Sequence, residues 1–327
     1  MTFRKHTILV VTNQYDEHAS HVIDTLNKRS ASVFRLNTED FPTKASLISR
    51  NDGWTIRYHG RTLHSQDVSA CWYRRPVTAE VDPSVTDPGY QGFITDECWF
   101  VLAGMYRCLS NIIWVSHPDA LSASKFKPRQ LQLARELGFK VPDTLITNDP
   151  EAFVEFYERH AGKVIVKIAG RGPTTIPADQ AVYTNLVGQE MLAQADSVRL
   201  APHLFQQYIA KQYEVRVTII GDQLFAVKID SQSSEATETD WRRPGIEDVE
   251  HSVITLPEQI DQRCRALVNQ LGLNFGAIDL IVTPEDEWIF LEINPNGQWL
   301  WLEELTGLQL TNQLVQNLLG EKNADQM

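Results

Sequence analysis

Ala277-Ile278-Asp279-Leu280-Ile281-Val282-Thr283-Pro284-Glu285-Asp286-Glu287-Trp288-Ile289-Phe290-Leu291-Glu292-Ile293-Asn294 is the stretch whose chemistry organises the whole chain. Two strand-like runs, Ala277–Thr283 and Trp288–Asn294, flank the turn Pro284–Glu287, the pattern of a β-hairpin. Either a short or a longer loop across that turn keeps one register, with Asp279 directly opposite Glu292. Alternation then puts Asp279, Glu292 and Asn294 on one face, and Ile278, Leu280, Leu291 and Ile293 on the other. Like charges opposed across a sheet destabilise it by about 0.2–1 kcal/mol, a penalty that a bound cation removes. Two carboxylates and an amide oxygen suit magnesium, which takes oxygen ligands and retains some water. The competing reading is an acidic, solvated face. Alternation places Trp288 and Phe290 on the carboxylate face as well, which argues for partial burial.

Lysines inside apolar strands are the next signal, because a buried ammonium is costly unless paired. Lys167 closes Val164-Ile165-Val166-Lys167-Ile168 and is followed by Gly170-Arg171-Gly172-Pro173-Thr174-Thr175. Such a loop has backbone donors able to cover phosphates. A strand-end lysine that is merely exposed is the plain alternative. Lys228, alternating with Phe225, Val227 and Ile229, is a further candidate cation. Glu214-Val215-Arg216 puts an acid and a base on one face of a strand, shortly after Gln206-Gln207-Tyr208-Ile209. A cross-strand ion pair would explain those two charges equally well.

The elements divide into three units. Strand 7–12, a helix over Glu17–Lys28 and strand Ser32–Leu36 start a small α/β domain. The first strand–helix turn, Thr12–Asp16, lacks the glycines of a dinucleotide fingerprint. Strands Trp54–Tyr58 and Ala70–Tyr73 lead to Arg74-Arg75-Pro76, then to a helix from about Gly92 to Ser110. The second unit opens with a helix at Lys127-Pro128 that ends at Gly138. It continues with strand Thr144–Thr147, a helix capped by Asp149-Pro150, and strand Lys163–Ile168. The third holds the strands Leu204–Ile209, Glu214–Ile220 and Leu224–Ile229, the amphipathic helix Glu258–Leu271 and the hairpin quoted above. Expected domains are 1–116, 117–203 and 204–327. Ser231–Glu250 and the tail after Gly320 carry no periodic pattern.

Composition narrows the partners. The 327 residues are 43% hydrophobic and 22% charged, with a formal charge of −12. An acidic chain of this kind is a poor match for a nucleic-acid backbone. No apolar run reaches the length of about 18 residues that a membrane span needs. The N-terminal apolar stretch is too short for a signal peptide, so a cytoplasmic protein is expected. Cys71, Cys98, Cys108 and Cys264 have no paired spacing and read as small buried hydrophobes.

The order of these pieces resembles the ATP-grasp ligases over residues 116–320. Lys127 precedes Gly138; strand Lys167 precedes a glycine loop; Gln-Gln-Tyr-Ile, Glu-x-Arg, Asp279 and Glu292-x-Asn294 follow. The resemblance implies a mixed α/β (α+β) ATP-grasp fold. In it an N-terminal pre-ATP-grasp domain precedes a central lid domain and a C-terminal domain with an antiparallel sheet. It implies ATP and Mg2+ as cofactors. Lys127, Lys167, Gly170 and Gly172 would hold phosphates, and Gln206, Gln207, Tyr208 and Ile209 would form the adenine hinge, read through backbone groups. Glu214 would take the ribose, and Asp279, Glu292 and Asn294 the magnesium. The acidic residue common at the hinge is replaced here by Gln206-Gln207.

A narrower likeness, to the microviridin-type graspetide (ω-ester peptide) maturases, extends into the N-terminal domain. It rests on Trp72-Tyr73-Arg74-Arg75-Pro76, Lys127-Pro128-Arg129-Gln130-Leu131, Thr144-Leu145-Ile146-Thr147-Asn148, Asp240-Trp241-Arg242 and Gly297-Gln298-Trp299. It implies phosphorylation of Asp or Glu side chains of a ribosomally made precursor peptide, then joining to Ser/Thr hydroxyls or Lys amines. Arg216 and Lys228 are the expected catalytic cations, and Arg74, Arg75 and Arg242 the expected substrate contacts. A homodimer is compatible with the likeness. Two rival functions carry different signatures: a ligase of free amino acids or protein tails, and a nucleotide-binding sensor or scaffold without chemistry. The opposed carboxylates speak against the second.

Overall fold

The computed structural model describes residues 6–170, 183–233, 240–241 and 249–321. Its N-terminal unit contains β1 (Thr7–Thr12), α1 (Glu17–Lys28), β2 (Ser32–Asn37), β3 (Ala45–Arg50), β4 (Gly53–Tyr58), β5 (Arg61–His64), β6 (Val68–Tyr73), α2 (Pro88–Arg107) and β7 (Ile113–Val115). A parallel sheet in the order β2-β1-β6-β7 forms its centre. Every residue of β1 is buried, as expected of a parallel strand covered on both faces. Asp16 caps α1 by accepting from the Ala19 amide at 3.1 Å. The helix α2 starts a turn earlier than its apolar pattern suggests. Asp87 accepts from the Gly89 and Tyr90 amides at 2.8 and 3.1 Å, and Pro88 suits a first turn. Neither β3 nor β5 has a strong strand pattern; pairing on both sides of β4 creates them.

The remainder contains α3 (Pro118–Ala123), α4 (Lys127–Glu136), β8 (Thr144–Thr147), α5 (Pro150–Arg159), β9 (Val164–Lys167), β10 (Asn185–Leu186), α6 (Gln189–Ala193) and β11 (His203–Gln207). It continues through β12 (Tyr213–Ile220), β13 (Gln223–Ile229), β14 (His251–Val253), α7 (Glu258–Gln270), β15 (Phe275–Val282), β16 (Trp288–Asn294), α8 (Leu300–Thr306) and α9 (Leu310–Leu319). The strands form two sheets, β10-β9-β11-β8 and β14-β13-β12-β15-β16, with antiparallel pairing throughout. Two expected boundaries move. A division at 203/204 would cut the first of these sheets, because β11 lies between β8 and β9. The α4 residues Leu131, Leu133 and Ala134 pack with Val215, Leu280 and Phe290, so Lys127 belongs with the C-terminal sheet.

That five-stranded sheet has two unlike faces. Val215, Val217, Ile219, Ile278, Leu280, Val282 and Ile293 pack against α4 and α7. On the opposite face Ile220, Val227, Phe275 and Ala277 are buried with Trp299 and α9, and with Val10 and Trp72 of the N-terminal sheet. Neither α8 nor α9 was anticipated, although Leu310, Leu314, Val315 and Leu318 share one helical face and Gly320 ends α9 at a φ of 70°.

The central hairpin differs from simple alternation in one respect. Asp279 pairs with Glu292 as expected, but Leu280 pairs with Phe290, leaving Leu291 as the extra residue of a bulge. The bulge reverses the facing of the strand before it. Phe290 and Trp288 therefore pack with the apolar core, not beside the carboxylates. Among the described residues, Cys71, Cys98 and Cys264 are buried and Cys108 is exposed, all four as free thiols. No helix among them is long and apolar enough to cross a membrane.

Candidate active site

Register alone assembles the centre of the site. Arg216 on β12 pairs with Asp279 on β15, and Asp279 with Glu292 on β16, so three charged side chains stand in a row across three strands. Arg216 Nη1 donates to both carboxylate oxygens of Asp279 at 2.7 Å. Asn294 Nδ2 donates to Asp279 Oδ2 and to Glu292 Oε1, each at 3.1 Å. Lys127 Nζ closes the row with an ion pair to Glu292 Oε2. Among the described residues, Arg216 faces Asp279, Lys127 faces Glu292, and the Asn294 amide bridges the two carboxylates. Arg216 is only 4% exposed, and its Nε has no hydrogen-bond partner among the described residues. A buried guanidinium with an unused donor is placed to receive an anion.

Two residues without a role in the sequence reading hold this row in place. Gln130 donates through Nε2 to the Ile293 carbonyl at 2.9 Å, and its Oε1 accepts from the Ile293 amide at 3.2 Å. It docks α4 on the edge of β16 as another strand would, and carries Lys127 to Glu292. A glutamine on the buried face of an amphipathic helix is the signal that could have revealed it. The second is Gly297. A Cβ there would sit 2.5 Å from Ala277 Cβ and 2.8 Å from Arg216 Nη2. Glycine leaves the space that the guanidinium occupies.

Arg74 requires a correction. It is 1% exposed and cannot gather a substrate from solvent. Its Nη1 donates to the carbonyls of Asn296 and Gly297, the latter at 3.0 Å, and its Nε lies 3.6 Å from Asp16 Oδ2. Asn296 Nδ2 returns a bond to the Arg74 carbonyl at 2.5 Å. Arg74 is a strut between the N-terminal sheet and the loop that follows Asn294. Its neighbour Arg75 is exposed, with Nη2 3.5 Å from the Asn296 carbonyl.

Lys228 also requires a correction. It pairs with Val215, whose side chain faces α4 and α7, so Lys228 lies on the face opposite Arg216 and Asp279. Its Nζ stands 4.7 Å from the Tyr213 ring centroid. Alternation along β13 was legible, but the face it assigns depends on the pairing with β12.

The nucleotide candidates are spread over both sheets. Lys167 is half-buried on β9 and pairs with Leu204, on the face of the sheet turned away from the Phe153–Phe205 core of α5. Gln206 shares that face; its Nε2 donates to Thr144 Oγ1 at 3.0 Å, while its buried Oε1 lacks a partner among the described residues. The amides of Gln207 and Tyr208 donate to the carbonyls of Asp143 and Lys163 at 2.9 and 2.8 Å. Those two N–H groups are committed to the protein, which leaves carbonyls and the half-buried Ile209 for a base. Glu214 is buried and bonded by Lys211 Nζ at 2.5 Å. Burial pushes its carboxyl above the ordinary range, and Lys211 opposes that shift. Gly170 is exposed at the end of β9. Gly172 and Arg242 lie outside the described residues.

No group of three or more His, Cys, Asp or Glu side chains comes together among the described residues. The donor set here is instead two carboxylates and one amide, already within hydrogen-bond reach of one another and already drawing two cations. Asp279 and Glu292, with Asn294 turning its amide oxygen in place of Nδ2 toward them, would hold a magnesium ion, which would supply charge neutralisation to phosphates.

A polar row on one antiparallel sheet, with a second antiparallel sheet bearing a strand lysine, is the arrangement that the ATP-grasp resemblance implies. Comparison with known families agrees. Residues 7–122 match the MvdD pre-ATP-grasp domain, and residues 122–318 match the RimK-like ATP-grasp domain. The chain belongs to the RimK-like ATP-grasp family, with an MvdD-type domain in front of it. It is similar to the macrocyclase MdnC of Microcystis aeruginosa MRC, solved with its precursor peptide MdnA. Identity there is 31%, with a TM-score of 0.86 and coverage of 96% of this chain and 100% of that one. It is also similar to a RiPP-associated ATP-grasp ligase of Chryseobacterium gregarium, solved with ADP and a leader and core peptide. For that pair identity is 29%, TM-score 0.87 and coverage 97% and 98%. A third likeness is to the macrocyclase MdnB of Microcystis aeruginosa MRC, with 29% identity, TM-score 0.80 and coverage of 96% and 99%. Comparison of the sequence with curated proteins gives no match.

Proposed function

We propose that the protein is an ATP- and magnesium-dependent peptide ligase. It would phosphorylate Asp or Glu side chains of a ribosomally made precursor peptide and join them to Ser/Thr hydroxyls or Lys amines. The observation that carries this reading is the row Arg216–Asp279–Asn294–Glu292–Lys127 on one sheet face, in a chain that resembles peptide macrocyclases along nearly its whole length.

A carboxylate is a poor acyl donor until one oxygen becomes part of a leaving group. In the proposed reaction a substrate carboxylate oxygen attacks the γ-phosphorus of ATP, ADP departs, and an acyl phosphate forms. A hydroxyl or amine then attacks the acyl carbon, the C–O bond to phosphate breaks, and the nucleophile's proton passes to solvent. Phosphoryl transfer is mostly a matter of positioning and charge neutralisation. Asp279, Glu292 and Asn294 would hold magnesium, which supplies neutralisation of the phosphate oxygens. Lys127 and Lys167 would bind phosphates, Lys127 exchanging its contact with Glu292 for them. Arg216 would turn its unused Nε toward the transferring phosphoryl group or the acyl phosphate.

Glu214 would take the ribose hydroxyls. Gln206 Oε1, without a partner among the described residues, would accept from a donor such as the adenine amine. Arg75 and Arg242 are the proposed collectors of acidic substrate side chains. A homodimer is the proposed assembly, supported by the exposed aromatic row Tyr90, Phe93 and Phe100 on α2. The cytoplasm is the proposed location, because ATP is available there.

The test is incubation with ATP, magnesium and any Thr/Ser- and Asp/Glu-rich peptide that a neighbouring open reading frame encodes. Each link removes one water, a loss of about 18 Da per link. ADP release without any mass loss, or mass loss without ATP, would remove the assignment.

A further inference from the structure

Asp240 and Trp241 stand at the rim of the row just described. Asp240 is buried, and its Oδ2 accepts from the Thr184 amide, next to the central sheet, at 2.9 Å. The ring of Trp241 lies 5.9 Å from Arg216 Cζ, within the range of a cation–π contact. Trp241 also packs on Trp301 of α8, with ring centroids 5.0 Å apart, and Trp301 meets His251 of β14 edge-on at 5.4 Å. Two half-buried indoles thus form an apolar surface beside Arg216, tied through Asp240 to Thr184, the residue before β10.

We infer that Trp241 is a positioning residue that, with Trp301, keeps water from the activated carboxyl group and so commits it to the peptide acceptor. The inference rests on the acyl-phosphate reading given above. An acyl phosphate has two fates. In the productive one, a hydroxyl or amine of the peptide displaces phosphate. In the other, water attacks the acyl carbon, its oxygen stays in the regenerated carboxylate, phosphate leaves, and a proton passes to solvent. The net result of the second is ATP hydrolysis. Apolar walls suppress such side reactions by excluding water from the reacting centre. Trp241 is suited to this because it touches the cation proposed to hold the acyl phosphate. Asp240 is suited to holding it there because its carboxylate is tied to Thr184.

The experiment compares wild type, Trp241→Ala, Trp241→Phe and Asp240→Ala, each with ATP, magnesium and precursor peptide in 18O-labelled water. ADP released per link formed is measured by chromatography and mass spectrometry, together with 18O in unlinked Asp and Glu side chains. Wild type should release about one ADP per link, and Trp241→Ala about threefold more, with 18O entering the unlinked carboxylates. Trp241→Phe should restore much of the coupling, and Asp240→Ala, which leaves the indole but frees it, should uncouple in the same direction. An unchanged ADP-to-link ratio in Trp241→Ala and Asp240→Ala, with only a slower rate, would overturn the inference while leaving the ligase reading intact. If Trp241→Ala does not fold, Asp240→Ala decides by the same ratio. A wild type that forms no links would instead remove the underlying function.

Discussion

Arg74, from the end of the N-terminal parallel sheet, donates to the carbonyl of Gly297 at 3.0 Å, and Gly297 in turn borders the guanidinium of Arg216. The N-terminal unit therefore reaches the reactive row through one buried cation and one glycine. An arginine expected to meet substrate instead fixes the loop that shapes the site.

Replacing Arg74 with alanine should lower stability by about 3 kcal/mol, because Asp16 and two backbone carbonyls lose a buried partner. Arg75→Ala should leave the melting temperature unchanged and raise KM for the precursor. Thermal melts and steady-state kinetics on the two variants separate a strut from a collector.

Gly297→Ala should lower the melting temperature, because Ala277 cannot yield without its strand, and should cost turnover through Arg216. Its methyl group meets Ala277 and Arg216 at distances no real contact tolerates, and the flexible partner is the arginine. Displacing a reacting group by about 1 Å lowers rate by about a hundredfold. Nucleotide affinity, measured by calorimetry, should change little while kcat falls.

Arg216→Ala should retain ATP binding and abolish link formation. The interaction it removes, to a transferring or activated phosphoryl group, is absent from the ground-state nucleotide contacts assigned to Lys127 and Lys167. Wild-type turnover in this variant would dismiss the role.

Gln206→Leu should weaken ATP binding by about tenfold, the worth of one net hydrogen bond with its share of desolvation. Gln206→Glu should bind at least as tightly as wild type, since a carboxylate accepts from the adenine amine equally well. Titration with a fluorescent nucleotide distinguishes these outcomes.

Acid should loosen the contact between the N-terminal and C-terminal units. Burial and the nearby Arg74 lower the pKa of His18 from 6.5 to about 3, against an opposing pull from Asp16. Between those values the unfolded chain binds a proton that the folded chain refuses, so stability falls as pH drops from about 6.5 toward 3. His18→Phe keeps a ring against Trp299, whose centroid lies 4.4 Å away, and should flatten that part of the pH–melting curve.

What the sequence makes legible varies from residue to residue. The family resemblance implies a phosphate role for Lys127, but its docking through Gln130 is not legible, since helix-to-strand contacts leave no periodic trace. Alternation misplaces Phe290 because one extra residue, Leu291, shifts it, and nothing in an all-apolar run marks where a bulge falls.

The sequence by itself determined the hairpin and the shared face of Glu292 and Asn294, because a side-chain period of two is written along the chain. The meeting of Asp279 with Glu292 needed the bulge at Leu291 as well, since Val282 pairs with Trp288 beside the turn. Only the tertiary structure decided that Arg216 completes their row, that Lys228 lies on the other face, and that Arg74 is buried. Those facts depend on which strands become neighbours and which surfaces are covered, and such pairings join residues far apart in the chain.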